Sequence, residues 1–146
     1  MSVAQLTKAV YRRWDATDLD QSFSGGMWSD EAPKGQSLPY VVLEIDTGGI
    51  VMQRTTNPDG MAGYRRRIQE APVVFNVHAR TKGTAANLCD KIIKEFNDSS
   101  LRMDDDDFGM LSFIYASDYC QKESETVYRW YIEFNARFWA YEKQQS

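Results

Sequence analysis

The sequence of 146 residues is poor in the side chains that build reactive and metal-binding sites. It has two cysteines, Cys89 and Cys120, and a single histidine, His78. Two cysteines provide neither a disulfide framework nor the ligand spacing of a zinc site. We therefore expect both to be reduced thiols in a protein that is made in a cytoplasm.

Long apolar runs and an excess of positive charge are also missing. No stretch approaches the ~20 apolar residues of a membrane-spanning helix, and the N-terminus lacks the basic and apolar segments of a signal peptide. The net charge is −4, from 17 Lys and Arg against 21 Asp and Glu. This balance argues against a dedicated nucleic-acid binder, because such proteins usually carry a basic excess.

Signatures of the common enzyme classes do not occur in the sequence. Gly25-Gly26 is not followed by the Lys-Ser or Lys-Thr pair of a phosphate-binding loop. No Ser/His/Asp order with a nucleophile elbow is present. His78 has no serine, cysteine or second histidine close to it in the sequence, which favours a structural role. We expect no catalytic residue and no cofactor, and therefore no enzyme.

Asp104 to Asp107 form the one acidic run of the sequence. Carboxylate oxygens suit a hard cation. The run lacks, however, the alternating Asp/Asn positions and the terminal Glu of a calcium-binding loop. A solvated acidic turn is the favoured interpretation, and we expect no metal site.

Apolar and aromatic side chains are abundant. Hydrophobic residues make up 42% of the sequence and aromatic residues 13%, including 4 Trp and 8 Tyr. This composition is typical of a folded globular protein, and the length predicts one domain over residues 1–146 with a sizeable core. Trp and Tyr are also enriched in protein interfaces.

Two segments have the apolar period of a helix. The first covers residues 3–14, where Ser2 and Gln5 form a capping box. The second covers residues 84–97 and has an apolar stripe on one face. Cys89 falls on that stripe, so we expect it to be a buried small hydrophobic residue and not a catalytic thiol.

Alternating apolar and polar residues predict strands. The segments are 39–46, with a possible return strand over 50–54, then 71–79, 110–117 and 127–141. A polar turn is predicted over residues 117–125, before the last strand. Helices and strands in this order predict an α+β fold, in which two main helices pack on a mostly antiparallel sheet.

Two long loops are predicted over residues 15–38 and 55–67. In the first, Met27 and Trp28 follow the flexible Gly25-Gly26 pair, either as satellites of the core or as anchors into a neighbouring chain. In the second, residues 57–60 form a turn by their chemistry. Arg65, Arg66 and Arg67 follow, either as a solvated strand end, the favoured interpretation, or as a contact with phosphate or an acidic partner.

The last strand, "VYRWYIEFNARFWAY", is unusually long and aromatic. Its even-numbered residues from Tyr128 to Ala140 are apolar, which predicts that they face the core. Tyr131 and Trp139 interrupt the polar opposite face. A strand of this length spans ~45 Å, so we expect part of it either to pair with another chain or to serve two sheets through a bulge.

Three segments together resemble the tail terminator, or tail-completion, proteins of long-tailed bacteriophages. They are the "AP.G..LPYVV" pattern from Ala32 to Val42, the "V.F.V.AR..G.A.A..L...I...F" pattern from Val73 to Phe96, and the aromatic last strand with Trp130 and Phe134. The chain departs from the second pattern at Asn87, and from the family in its acidic run and its longer 55–67 segment.

The resemblance implies a structural protein of the virion, assembled in the host cytoplasm. Such proteins form a ring, usually a hexamer, that ends tail-tube polymerisation and joins the head or neck. Implied partners are copies of this chain, the tail tube protein, neck or connector proteins and DNA in the channel, with no membrane. Met27, Trp28, Arg65–Arg67, Tyr131 and Trp139 are then the predicted contact residues. A neck or head-completion protein, and a small α+β enzyme or ligand-binding domain, stay open as alternatives.

Overall fold

One six-stranded sheet with helices on one of its faces forms the protein. The computed structural model describes residues 2–45, 51–54, 64–99, 101 and 108–143. In chain order the elements are α1 (Ser2–Asp15), α2 (Leu19–Ser22), β1 (Met27–Ser29), β2 (Tyr40–Ile45), β3 (Val51–Arg54), β4 (Tyr64–Ala79), α3 (Lys82–Phe96), β5 (Phe108–Ser124) and β6 (Val127–Lys143). The predicted α+β class with a mostly antiparallel sheet is confirmed.

The strand order is β1-β2-β4-β6-β5, with β3 paired to β4 beyond the end of β2. Among the described strands only β1 and β2 are parallel. The three longest strands, β4, β6 and β5, have 16, 17 and 17 residues and form an extended antiparallel ribbon. That ribbon is the scaffold to which the shorter strands and the helices attach.

Strand β6 lies inside the sheet and not at its edge. It pairs with β4 from Tyr128 to Lys143 and with β5 from Val127 to Ala140. The backbone of this long strand is therefore hydrogen-bonded within its own chain, and the expectation that it pairs with another chain is wrong. It also serves one sheet, so the alternative of a bulge joining two sheets is wrong as well.

The core lies between the sheet and the helices, as the sequence pattern predicts. Strand β6 contributes four fully buried residues to the core: Ile132, Phe134, Ala136 and Phe138. An aromatic cluster fills its centre, where Phe75, Phe96, Phe113 and Phe134 pack with ring centroids 5.0–6.2 Å apart. Cys89 is also buried there, and burial raises the pKa of its thiol to about 12, as expected of an inert thiol.

Both main helices pack as amphipathic segments should, but the capping box predicted for α1 is wrong, because the Gln5 Oε1 atom is buried and has no hydrogen-bond partner. Helix α3 begins after Thr81, whose side chain accepts a hydrogen bond from the Thr84 amide. This bond satisfies one of the free N–H groups of the first turn. Trp14 at the end of α1 is 1% exposed and packs against Phe23 and Phe75.

Residues 15–38 are not the structureless loop that was predicted. They contain α2 and β1, and Gly25 explains how β1 reaches β2. A Cβ at Gly25 would lie 1.9 Å from the Ser37 carbonyl oxygen, so only glycine permits this close approach. The Gly25 amide donates to the Pro39 carbonyl at 2.9 Å. Gly25 therefore lies in a packed junction and is not the flexible residue that was predicted.

Two further predicted boundaries are wrong. Residues 117–124 belong to β5, so the connection to β6 is only the turn at 125–126. The Arg65–Arg67 run belongs to β4 and not to a loop. The predicted turn at 57–60 and the acidic run at 104–107 lie outside the described residues.

Candidate interaction surface

The sheet face opposite the helices, called the open face below, carries the candidate functional residues. Alternation along the strands places on it, among other residues, Val42 and Glu44 of β2, Val74, Asn76 and His78 of β4, Tyr119 of β5, and Tyr131 and Glu133 of β6. No described helix packs on this face. Long side chains nonetheless cover its middle, since Val74, Asn76 and His78 are only 7%, 4% and 8% exposed.

A half-open cavity of about 370 Å³, called the acidic pocket below, lies on the open face. Its walls include Val74, Pro72 and Tyr131. Glu44 pairs with Val74 and Val74 pairs with Glu133, so the two carboxylates flank one valine from neighbouring strands.

A third carboxylate, that of Asp30, also lines the acidic pocket. Asp30 follows β1 directly, and its amide donates to the Leu43 carbonyl at 2.9 Å. Strand pairing between β1 and β2 therefore brings Asp30 to the wall that Glu44 forms. The arrangement gives a partly apolar cavity with negative charge from three different strands or strand ends.

Tyr131 gives the acidic pocket a protonated hydroxyl. Its hydroxyl donates to the Glu133 carboxylate at 2.8 Å. Burial, and then this hydrogen bond, raise the pKa of Tyr131 to about 12, so the hydroxyl stays protonated at neutral pH. The ring stacks on Tyr119 with centroids 4.8 Å apart, and Tyr119 is 49% exposed. An aromatic pair thus borders the pocket on the β5 side.

The structure places the predicted contact residues at separate positions. Met27 is half-buried and packs against the core. Trp28 is half-buried and donates from Nε1 to the Gly25 carbonyl at 2.8 Å. Its pairing with Val42 places Trp28 on the same face as Tyr131.

The Arg65–Arg67 run and Trp139 lie at the far end of the ribbon. Arg65, Arg66 and Arg67 pair with Glu142, Tyr141 and Ala140 of β6, and Trp139 pairs with Ile68 and Gly109. Their side chains lie outside what the structure describes. The seven predicted residues therefore do not form one site, and their role in contacts stays a prediction.

The sequence reasoning missed Asp30, Glu44, Glu133 and Tyr119. Glu44 and Glu133 are carboxylates on the outward sides of two predicted strands, which was a usable signal. Their meeting depends on the β2–β4–β6 register, which one sequence does not reveal. Tyr119 was missed because its segment was assigned to a turn.

The described residues contain no group of three or more His, Cys, Asp and Glu side chains placed to hold a metal ion. No helix among the described residues is both long and apolar enough to cross a membrane.

No protein-family model and no curated protein matches the chain. A solved chain from the virion of a native gene transfer agent (GTA) particle is similar in structure, with a TM-score of 0.67. The likeness covers 94% of this chain and 97% of that chain, at 17% sequence identity. At this identity the likeness shows a common fold.

Proposed function

We propose that the protein is a structural component of a phage-like virion, and that it forms a ring that ends the tail tube. The observation that carries the proposal is the fold likeness over nearly the whole of both chains to a chain of a gene transfer agent virion. The three sequence patterns that resemble tail terminator proteins support the same assignment independently of the fold.

The open face supports a role in assembly. It carries exposed Tyr119 at the ribbon edge and a charged pocket beside it. Aromatic side chains such as Tyr119 are enriched in protein interfaces.

Both edges of the sheet are protected against strand addition. Strand β5 has register shifts at three places, and β1 has only three residues; bulges and short edge strands both hinder pairing with another chain. Contacts between subunits are therefore expected through faces and loops.

The proposed mechanism is geometric. A ring, a hexamer in this proposal, has one surface that matches the last ring of the tail tube and another that does not. Bound to the finished tube, it prevents further addition and presents a surface to neck or connector proteins. Loops at the channel would lie near passing DNA, and no catalysis is involved.

Deleting the gene for this chain from the strain that produces the particle tests the proposal. A terminator predicts abnormally long tubes without attached heads in electron micrographs, restored to normal length by supplying the gene from a plasmid. Tails of normal length that lack heads would instead identify a neck protein. Intact, joined particles would contradict both roles.

A further inference from the structure

The carboxylates of the acidic pocket have no cationic partner within the described part of the chain. Glu44 and Asp30 are exposed, and neither forms an ion pair with a described residue. Glu133 accepts a hydrogen bond from Tyr131, which is neutral. Three carboxylates that line one cavity without a cationic partner form a negative patch, and such a patch attracts a cationic group.

A buried hydrogen-bond acceptor beside the acidic pocket also lacks a partner. Asn76 is 4% exposed, and its Oδ1 atom has no hydrogen-bond partner. It lies on the open face two positions from Val74 and pairs in register with Tyr131. A buried acceptor without a partner costs free energy, and a guanidinium or ammonium group is a strong donor that would supply one.

A compact basic corner, Arg80 and Lys82, lies at the start of α3. Both side chains are exposed, and neither forms an ion pair with a described residue. The first turn of α3 contains no acidic residue. Cations are disfavoured at a helix N-terminus because the helix dipole is positive there, so this corner favours an acidic partner.

The basic corner does not reach the acidic pocket of its own chain. Val74 lines the pocket and Arg80 follows the end of the same strand, and six residues of strand span ~20 Å. The chain therefore presents two complementary patches at separate places. Two different patches that bind each other produce a head-to-tail contact, which closes into a ring when the rotation permits.

From these observations, and resting on the proposed ring, we infer that the acidic pocket of one copy binds the Arg80–Lys82 corner of the next copy. The apolar pocket walls pack against the long aliphatic stems of those side chains. Their charged ends lie between the carboxylates of Asp30, Glu44 and Glu133. The ring of Tyr131 offers a surface for a cation.

Neutral substitutions test this contact without creating new charge pairs. Glu44→Gln/Glu133→Gln removes charge from the pocket, and Arg80→Gln/Lys82→Gln removes it from the corner. Each variant should weaken self-association at least about tenfold in sedimentation velocity. Asp90→Asn and Lys94→Gln on α3 change charge at exposed positions on the helix side of the sheet and serve as matched controls.

Mixing the two variants tests the head-to-tail arrangement itself. One variant keeps an intact corner and the other an intact pocket, so the mixture should form one-to-one dimers and nothing larger. A mixture that stays monomeric overturns the inference. Glu44→Gln alone, at an exposed position, repeats the test if the double pocket variant does not fold.

Further outcomes separate this contact from the proposed ring. A wild-type oligomer whose mass neither variant changes overturns the contact and leaves the ring in place. A pocket variant that keeps its oligomeric mass but no longer binds tail tubes assigns the pocket to the tube, which also overturns the contact. A wild-type chain that stays monomeric at roughly 1 mM, which corresponds to a binding free energy weaker than about −4 kcal/mol, also overturns the contact. The proposed function is tested separately by the tail-length experiment.

Discussion

The ring of Tyr40 stacks on the imidazole of His78, with ring centroids 4.5 Å apart and an angle of 11° between the planes. The Nδ1 atom of His78 lies 3.1 Å from the Asn76 carbonyl oxygen, and its Nε2 atom lies 3.6 Å from the Glu123 carboxylate. Arg129 lies 3.3 Å from the same carboxylate, so Glu123 is shared. These are the contacts of a packed, structural histidine.

We predict that His78 makes the protein less stable in mild acid. Burial, the largest effect, lowers the pKa of His78 from its ordinary value of 6.5, although Glu123 raises it in part. The unfolded chain therefore binds the proton at a higher pH than the folded chain. Stability is fully present above about pH 6.5 and falls as the pH drops from there through the lowered folded value.

Urea unfolding between pH 5 and pH 8 measures this effect. His78→Gln should flatten the dependence of the unfolding free energy on pH in that window, because glutamine does not titrate there. An unchanged slope in His78→Gln would assign the pH dependence to carboxylates and reject the role given to His78.

We predict that Gly25→Ala destabilises the protein while Gly83→Ala does not. An added Cβ at Gly25 would lie 1.9 Å from the Ser37 carbonyl oxygen and 2.8 Å from the Tyr40 Cβ atom, so the backbone must move at a cost of about 1–3 kcal/mol. At Gly83 nothing lies within 4 Å, and alanine in a helix gains up to about 1 kcal/mol. Thermal or urea unfolding of the pair decides, and equal stabilities would contradict the packed junction.

The outcome at Gly25 illustrates what the sequence can and cannot predict. Period-two alternation correctly placed Phe134 and its neighbours in the core, because burial on one face leaves a pattern along the chain. The Gly25 contact joins segments whose approach leaves no local pattern. For the same reason, the meeting of Glu44 and Glu133 across β4 could not be predicted.

The extent of strand β5 was predicted wrongly for a different physical reason. It lies at the sheet edge, and residues 121–124 are exposed. Such a strand end has no buried face to impose an apolar alternation, so Gln121 to Ser124 have the composition of a turn. Only pairing with β6 defines them as a strand.

We predict that Phe134→Ala strongly destabilises the fold, by about 3–5 kcal/mol. Phe134 is fully buried and packs against Phe75, Phe96 and Phe113 at 5.0–6.2 Å, so its removal leaves a cavity. Ile114→Ala, at a position 42% exposed, is the control and should cost less than about 1 kcal/mol. Similar losses in both variants, measured by urea unfolding, would contradict the assigned core.

We predict that Tyr119→Ser weakens self-association more than it weakens folding. Tyr119 is 49% exposed and stacks on Tyr131; losing an aromatic pair costs about 0.5–1.5 kcal/mol of stability. Because its ring is exposed beside the acidic pocket, Tyr119 is expected to lose more accessible surface when the next copy binds than it loses when its own chain folds. Sedimentation velocity should therefore show weaker association at concentrations where urea unfolding shows a folded chain. Lys94→Gln, at an exposed position of α3, should leave both properties unchanged. A folded Tyr119→Ser protein with wild-type association would place Tyr119 outside the contact and restrict the interface to the pocket and the basic corner.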